Sequence, residues 1–208
     1  KRQALHDMEN DSLQAKAVAG FVAVTASILL HLPLPQDAPN TENILPLLPQ
    51  GLRAFALYVQ AHSLYLKKQY ARSAGIAEAA LTMGGNQFPI PAIYLHLVAV
   101  MDYMSLKDLD RAHKHLMSAW NYAQPDDLIE AFGEHHGLLG GMLESAIKPI
   151  WPEDFKRIID TFYSILYFLR VCHNTTCYPL YSFTASMILF TSSSSMALFS
   201  SIFCPISG

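Results

Sequence analysis

Leu64-Tyr65-Leu66-Lys67-Lys68-Gln69-Tyr70, followed by Ala77, Ala80 and Leu81, returns 39 residues later as Tyr103-Met104-Ser105-Leu106-Lys107-Asp108-Leu109, followed by Leu116, Ala119 and Trp120. Each copy joins the apolar end of one helix to a short basic turn. A second helix follows, with small and apolar residues recurring at helical spacing. Two copies in register predict an all-α fold of antiparallel helix pairs, with Ser73/Ala80 and Ala112/Ala119 where paired helices touch. One pair cannot bury its apolar face alone, so the pairs must stack.

Working outward, the regular pattern begins at Gly51, where Leu52, Phe55, Ala56 and Val59 mark one helical face. Tyr70–Leu81 follows as a second helix, Ile93–Met104 as a third, and a fourth is capped by Asp108 and ends at Pro125. Further helices are expected over Leu128–Ala146 and Glu153–Leu169, the last able to supply half of a third, looser unit. No strand alternation competes before residue 170. The units resemble tetratricopeptide repeats, with a period longer than the usual ~34 residues. That resemblance implies a right-handed solenoid with a concave surface. Residues 51–169 then form the repeats, and 1–31 an N-terminal helical segment of a longer repeat region. Val18–His31, at about 14 residues, falls short of the ~20 needed to span a bilayer, so a buried helix is expected there. Residues 32–50 hold Pro33, Pro35, Pro39, Pro46 and Pro49, which predicts an extended connector.

Charge divides the chain unevenly. All 14 basic and 17 acidic residues precede Val171, and the net charge is −3. That balance argues against a broad nucleic-acid surface. The tail, 170–208, is apolar and serine-rich and holds all three cysteines. It reads as an aberrant or non-native end, as a membrane anchor over Tyr178–Phe203, or as a helical cap. Cys172 and Cys177 lack the second pair that zinc would need. The absence of cysteines elsewhere suits a reducing cytoplasm. The chain reads as a piece of a longer protein.

Signals for catalysis are missing. There is no Gly-x-Ser-x-Gly, no cysteine in the helical part and no glycine-rich phosphate loop after a strand, so no enzyme and no cofactor is expected. Phe132-Gly133-Glu134-His135-His136-Gly137-Leu138-Leu139-Gly140-Gly141 is the most unusual stretch. Adjacent histidines on a helix point about 100° apart and cannot share an ion, and His-Glu-x-x-His spacing is lacking, so no metal is expected. Gly133, Gly137 and Gly141 at i, i+4 and i+8 would strip one helix face of side chains. That face would admit a neighbouring helix, or a ligand or partner touching Glu134, His135, His136, Gly137 and Tyr94. His113 and His115 read as solvent-facing or boundary residues, and His62 and His96 as core histidines.

Leu45–Ile159 resembles the helical-repeat region of LuxR-type bacterial transcriptional regulators. The residues that carry it are Leu45-Pro46-Leu47-Leu48-Pro49-Gln50-Gly51-Leu52-Arg53-Ala54, Gly75–Leu81, Pro89–Tyr94, Pro125–Gly141 and Trp151–Ile159. The resemblance implies a cytoplasmic sensor or interaction module that binds a protein or small-molecule effector ahead of a helix-turn-helix DNA-binding domain. No Lys or Arg in Val171–Gly208 could meet phosphates, so DNA would be reached only through a domain absent from this chain. The alternative is a free-standing repeat adaptor that binds a partner segment in its groove, anchored at a membrane by its tail.

Overall fold

The computed structural model describes residues 2–29, 36 and 38–174, with side chains placed at 12–29, 36, 38–40, 42–164 and 167. Nine α-helices occur among them: α1 (Arg2–Leu29), α2 (Thr41–Ile44), α3 (Gln50–Leu66), α4 (Tyr70–Thr82), α5 (Pro89–Ser105), α6 (Leu109–Ala123), α7 (Glu130–His135), α8 (Met142–Ala146) and α9 (Pro152–Asn174). No strand occurs among the described residues, so the all-α expectation is met there. The chain divides into two units, Lys1–Thr161 and Phe162–Gly208. The expected tail, beyond Asn174, lies outside the described residues, together with Cys177 and Cys204.

α5 is the axis of the first unit. Ala92, Ile93, Tyr94, Leu95, Leu97, Val98, Ala99, Val100 and Met101 are all buried, on every side of the helix. A helix that is apolar all round belongs inside a core, and α3, α4 and α6 pack against α5. Ser73, Ala80, Ala112 and Ala119 are buried, as close helix packing requires. Ser73 also donates to the Ala61 carbonyl at 2.8 Å, tying α4 to α3.

The turns α3–α4 and α5–α6 share one hydrogen-bonding pattern. Lys68 and Lys107 both adopt the left-handed conformation, at φ 60° and 66°. Lys68 N–H donates to Tyr65 O at 2.8 Å and Gln69 N–H to Leu64 O at 2.9 Å. Lys107 donates to Met104 O at 3.1 Å and Asp108 to Tyr103 O at 2.9 Å. This double bond at a helix end is the Schellman closure, here without its usual glycine. The next helix then starts with a local bond, Arg72 Nη1 to Gln69 Oε1 at 2.6 Å in one turn and Arg111 Nε to Asp108 Oδ2 at 2.6 Å in the other. Asp108 also caps α6 by accepting from Arg111 N–H at 3.0 Å.

Two expectations are corrected. Part of the 32–50 connector is helical, as α2 and a 3₁₀ turn, Leu45–Leu47, while residues 38–40, Leu48 and Pro49 are not. Asn40 Oδ1 accepts from Glu42 N–H at 3.0 Å and starts the helix, and Pro46 sits early in the 3₁₀ turn, where no N–H is required. Ile44 and Leu48 are buried, and Arg53 donates to the carbonyls of Leu48 and, at 2.8 Å, Pro46. The second correction is Leu128–Ala146, which is not one helix. α7 ends at His135, a 3₁₀ turn covers His136–Leu138, and Gly140 and Gly141 turn the chain at φ 51° and 86° into α8. The expected stripe of glycines on one face therefore does not exist. Gly133 alone makes the close approach, since a Cβ there would meet Thr161 Cγ2 at 2.8 Å; Gly137 is exposed, and a Cβ at Gly141 would meet nothing.

α1 extends the apolar stretch read from the sequence. Ser12–Leu29, with a mean hydropathy of 1.5, is long and apolar enough to cross a membrane by length and composition alone. In this structure Ala17, Phe21 and Val24 are buried, and the Phe21 ring meets Phe55 of α3 edge-on at 6.4 Å.

Candidate functional site

The residues singled out in the sequence separate into two places. Tyr94 and His135 enter an aromatic core with Phe55, Tyr58 and His62. Tyr58 lies 5.0 Å from Tyr94 and 6.1 Å from His135, ring centre to ring centre. His135 Nδ1 lies 2.8 Å from Ala131 O, and a carbonyl only accepts, so Nδ1 carries the proton. Nε2 then accepts from the Tyr58 hydroxyl at 3.1 Å. Burial pushes the His135 pKa down, with the Ala131 carbonyl opposing, and pushes Tyr58 well up. The pair is neutral and fully employed in the core. Tyr94 donates from the edge of this core to Glu134 Oε2 at 2.7 Å. His136 and Gly137 lie outside it, His136 meeting Glu144 at 3.1 Å and Gly137 in solvent.

A second polar cluster, between α4, α5 and α6, was not found in the sequence as a group. His96 Nδ1 and His115 Nδ1 are 2.9 Å apart, so one donates to the other. His115 Nε2 lies 3.5 Å from Glu78, whose carboxylate accepts from Tyr103 at 2.6 Å. Tyr103 in turn accepts from Arg111 at 3.1 Å and carries the guanidinium 4.2 Å above its ring. Burial, and then His115, lowers the His96 pKa to about 4. Burial also lowers His115, with Glu78 opposing. Both imidazoles are therefore neutral near pH 7. His113 is exposed, as read from the sequence; His96 is half-buried rather than core. The register of His96 against His115 depends on how α5 and α6 pair, which periodicity within each helix does not give. No group of three or more His, Cys, Asp or Glu able to hold a metal occurs among the described residues.

Asp102 is a third feature. It is 0 % exposed on α5. The neighbouring Ser73 hydroxyl donates to Ala61 O at 2.8 Å. Burial raises the Asp102 pKa to about 7, and Ser73 opposes only in part.

An open concavity of the first unit lies between α1, the 38–44 segment and α3, with a volume of about 370 Å³. Phe21, Val24, Ile28, Ile44 and Val59 are among its apolar lining, and Glu42 and Lys67 line it as charged residues. α1 offers Phe21, Val24, Thr25 and Ile28 at i, i+3, i+4 and i+7, the period of one helix face.

Fold and site together define, among the described residues, an all-α protein of hydrogen-bonded helix hairpins with a cleft lined largely by apolar residues. Comparison with protein-family models, with curated proteins and with solved structures found no match.

Proposed function

We propose that this chain is the sensor or interaction module of a LuxR-type transcriptional regulator, acting in the cytoplasm and without catalysis. The observation that carries the reading is the pair of Schellman-closed turns 39 residues apart, with the same local bond at positions 69–72 and 108–111. Turns closed in the same way favour successive hairpins of similar shape, and so a tetratricopeptide-like stack with a surface for a protein or small-molecule effector. The part of the singled-out stretch open to such a partner is Glu134, His136 and Gly137, with Tyr94 and His135 supporting it from beneath. Promoter DNA would be met by a helix-turn-helix domain beyond these residues.

The test combines the coding DNA with the protein. Sequencing downstream of codon 170 should reveal a basic helix-turn-helix in another frame. The chain as given should show no salt-sensitive, sequence-selective binding to duplex DNA by fluorescence anisotropy, and the version with the frame restored should show it. An apolar end with no such domain in any frame would move the assignment to the free-standing adaptor.

A further inference from the structure

We infer that the cleft between α1 and α3 is a binding site for a small zwitterion with an apolar body, of the class of a free α-amino acid such as leucine or phenylalanine. The inference deepens the proposed sensing function by naming the effector class, and it rests on that reading only for its biological meaning.

Three observations carry it. The first is shape and lining. A cleft of about 370 Å³ lined in part by Phe21, Val24, Ile44 and Val59 falls within the size range of small-molecule sites. The second is charge. Glu42 comes from the 38–44 segment and Lys67 from the end of α3, so charges of both signs line the cleft from different elements. Neither forms an ion pair among the described residues. A pure anion would meet Glu42 and a pure cation would meet Lys67. A molecule carrying both charges next to an apolar side chain complements the whole lining.

The third is a hydroxyl. Thr82 and Thr161 each donate to the carbonyl one helical turn back, at 2.8 and 3.0 Å. Thr25, which is 0 % exposed and lines the cleft, makes no such bond, and its Oγ1 has no hydrogen-bond partner. A buried hydroxyl left without a partner is costly, and a ligand with a polar head beside Thr25 would remove that cost after a χ1 rotation.

Isothermal titration of the chain with L-leucine and L-phenylalanine tests the site, with leucinamide lacking the carboxylate and N-acetyl-leucine lacking the ammonium. Saturable binding of at least one amino acid is expected, weakened about 10-fold or more in both analogues, a factor worth ~1.4 kcal/mol. Lys67→Gln should erase the preference for leucine over leucinamide, and Glu42→Gln the preference over N-acetyl-leucine. Both positions are exposed, so folding is not at risk. Val24→Trp, which fills the cleft, should abolish binding; circular dichroism of that variant reports whether it folds. Absence of saturable binding, or equal binding of leucine and both analogues, overturns the site while leaving the helical-hairpin reading untouched. Saturable binding that never alters DNA binding by the frame-restored protein keeps the site and removes the sensor.

Discussion

The α3–α6 block and the stretch from Glu130 to Ala146 face the same problem, turning a helical chain back on itself, and solve it differently. In the block, helices of 13 to 17 residues are joined through turns at Lys68 and Lys107, held left-handed by two backbone bonds per turn. In the second stretch, two helices of 6 and 5 residues are separated by glycines that take up positive φ themselves. Long helices packed round α5 supply enough tertiary contact to hold a lysine in a conformation that costs an L-residue roughly 1–2 kcal/mol. The short helices pack less extensively against the rest of the unit, and the turn between them uses glycine. Whether a turn uses a permissive residue thus depends on how much packing stands behind it.

The largest effect that would break this contrast lies at Asp102. If the block has packing in reserve, it can also carry a buried carboxylic acid. The folded pKa of about 7 exceeds the ordinary 3.8, so the native state holds a proton that the unfolded chain releases. Stability from this group is complete below about pH 4 and is lost as pH rises through about 7. The loss should be on the order of 2–4 kcal/mol across that window, at 1.36 kcal/mol per pKa unit and discounted for relaxation. Asp102→Asn keeps the shape and removes the titration, so chemical denaturation at pH 5 and pH 8 should give a difference that shrinks sharply in the variant. An unchanged difference would show that Asp102 is ionised in the fold and that the block is less tightly sealed.

Next comes Gly133. A Cβ there would meet Thr161 Cγ2 at 2.8 Å, Thr161 Cβ at 2.9 Å and Ile158 O at 3.2 Å. Gly133→Val should cost about 1–3 kcal/mol by overpacking. Gly137→Leu, in solvent, should stay within ~0.5 kcal/mol of the parent. Equal costs at the two positions would restore the continuous glycine face.

The contrast also explains what could be read in advance. The block was legible because its signals are local and agree: apolar period, small residues at contacts, and a turn repeated at the same offset. Asp108 was read as a cap and is one, since a cap needs only its own helix. The 130–146 stretch was misread because glycines at i, i+4 and i+8 fit one helix face equally well as a broken chain. Which occurs is settled by Gly140 and Gly141 at positive φ, a tertiary outcome. His135 was visible, but not its bond to Tyr58, 77 residues away. The His96–His115 pair and the cleft depend likewise on how helices align. The 32–50 segment was read by proline count, although Asn40 before Thr41-Glu42 was a helix-start signal on the page.

The smallest effect sharpens the comparison most directly, because it exchanges the two solutions. Lys107 at φ 66° and Gly141 at φ 86° occupy the same left-handed region, one with a side chain and one without. Lys107→Gly removes the steric cost of Cβ but loosens the unfolded chain, and the two partly cancel. A net gain of about 0.5–1 kcal/mol is expected, and the same at Lys68. Gly141→Lys should run the other way by about 1 kcal/mol: no atom lies within 4 Å of its missing Cβ, so only the backbone conformation objects. Thermal denaturation of the three single variants measures both signs. If Lys107→Gly destabilises, the lysine contributes a contact of its own, and the turn is not a backbone device backed by packing. If Gly141→Lys is neutral, the second stretch has the packing reserve that its short helices were taken to lack.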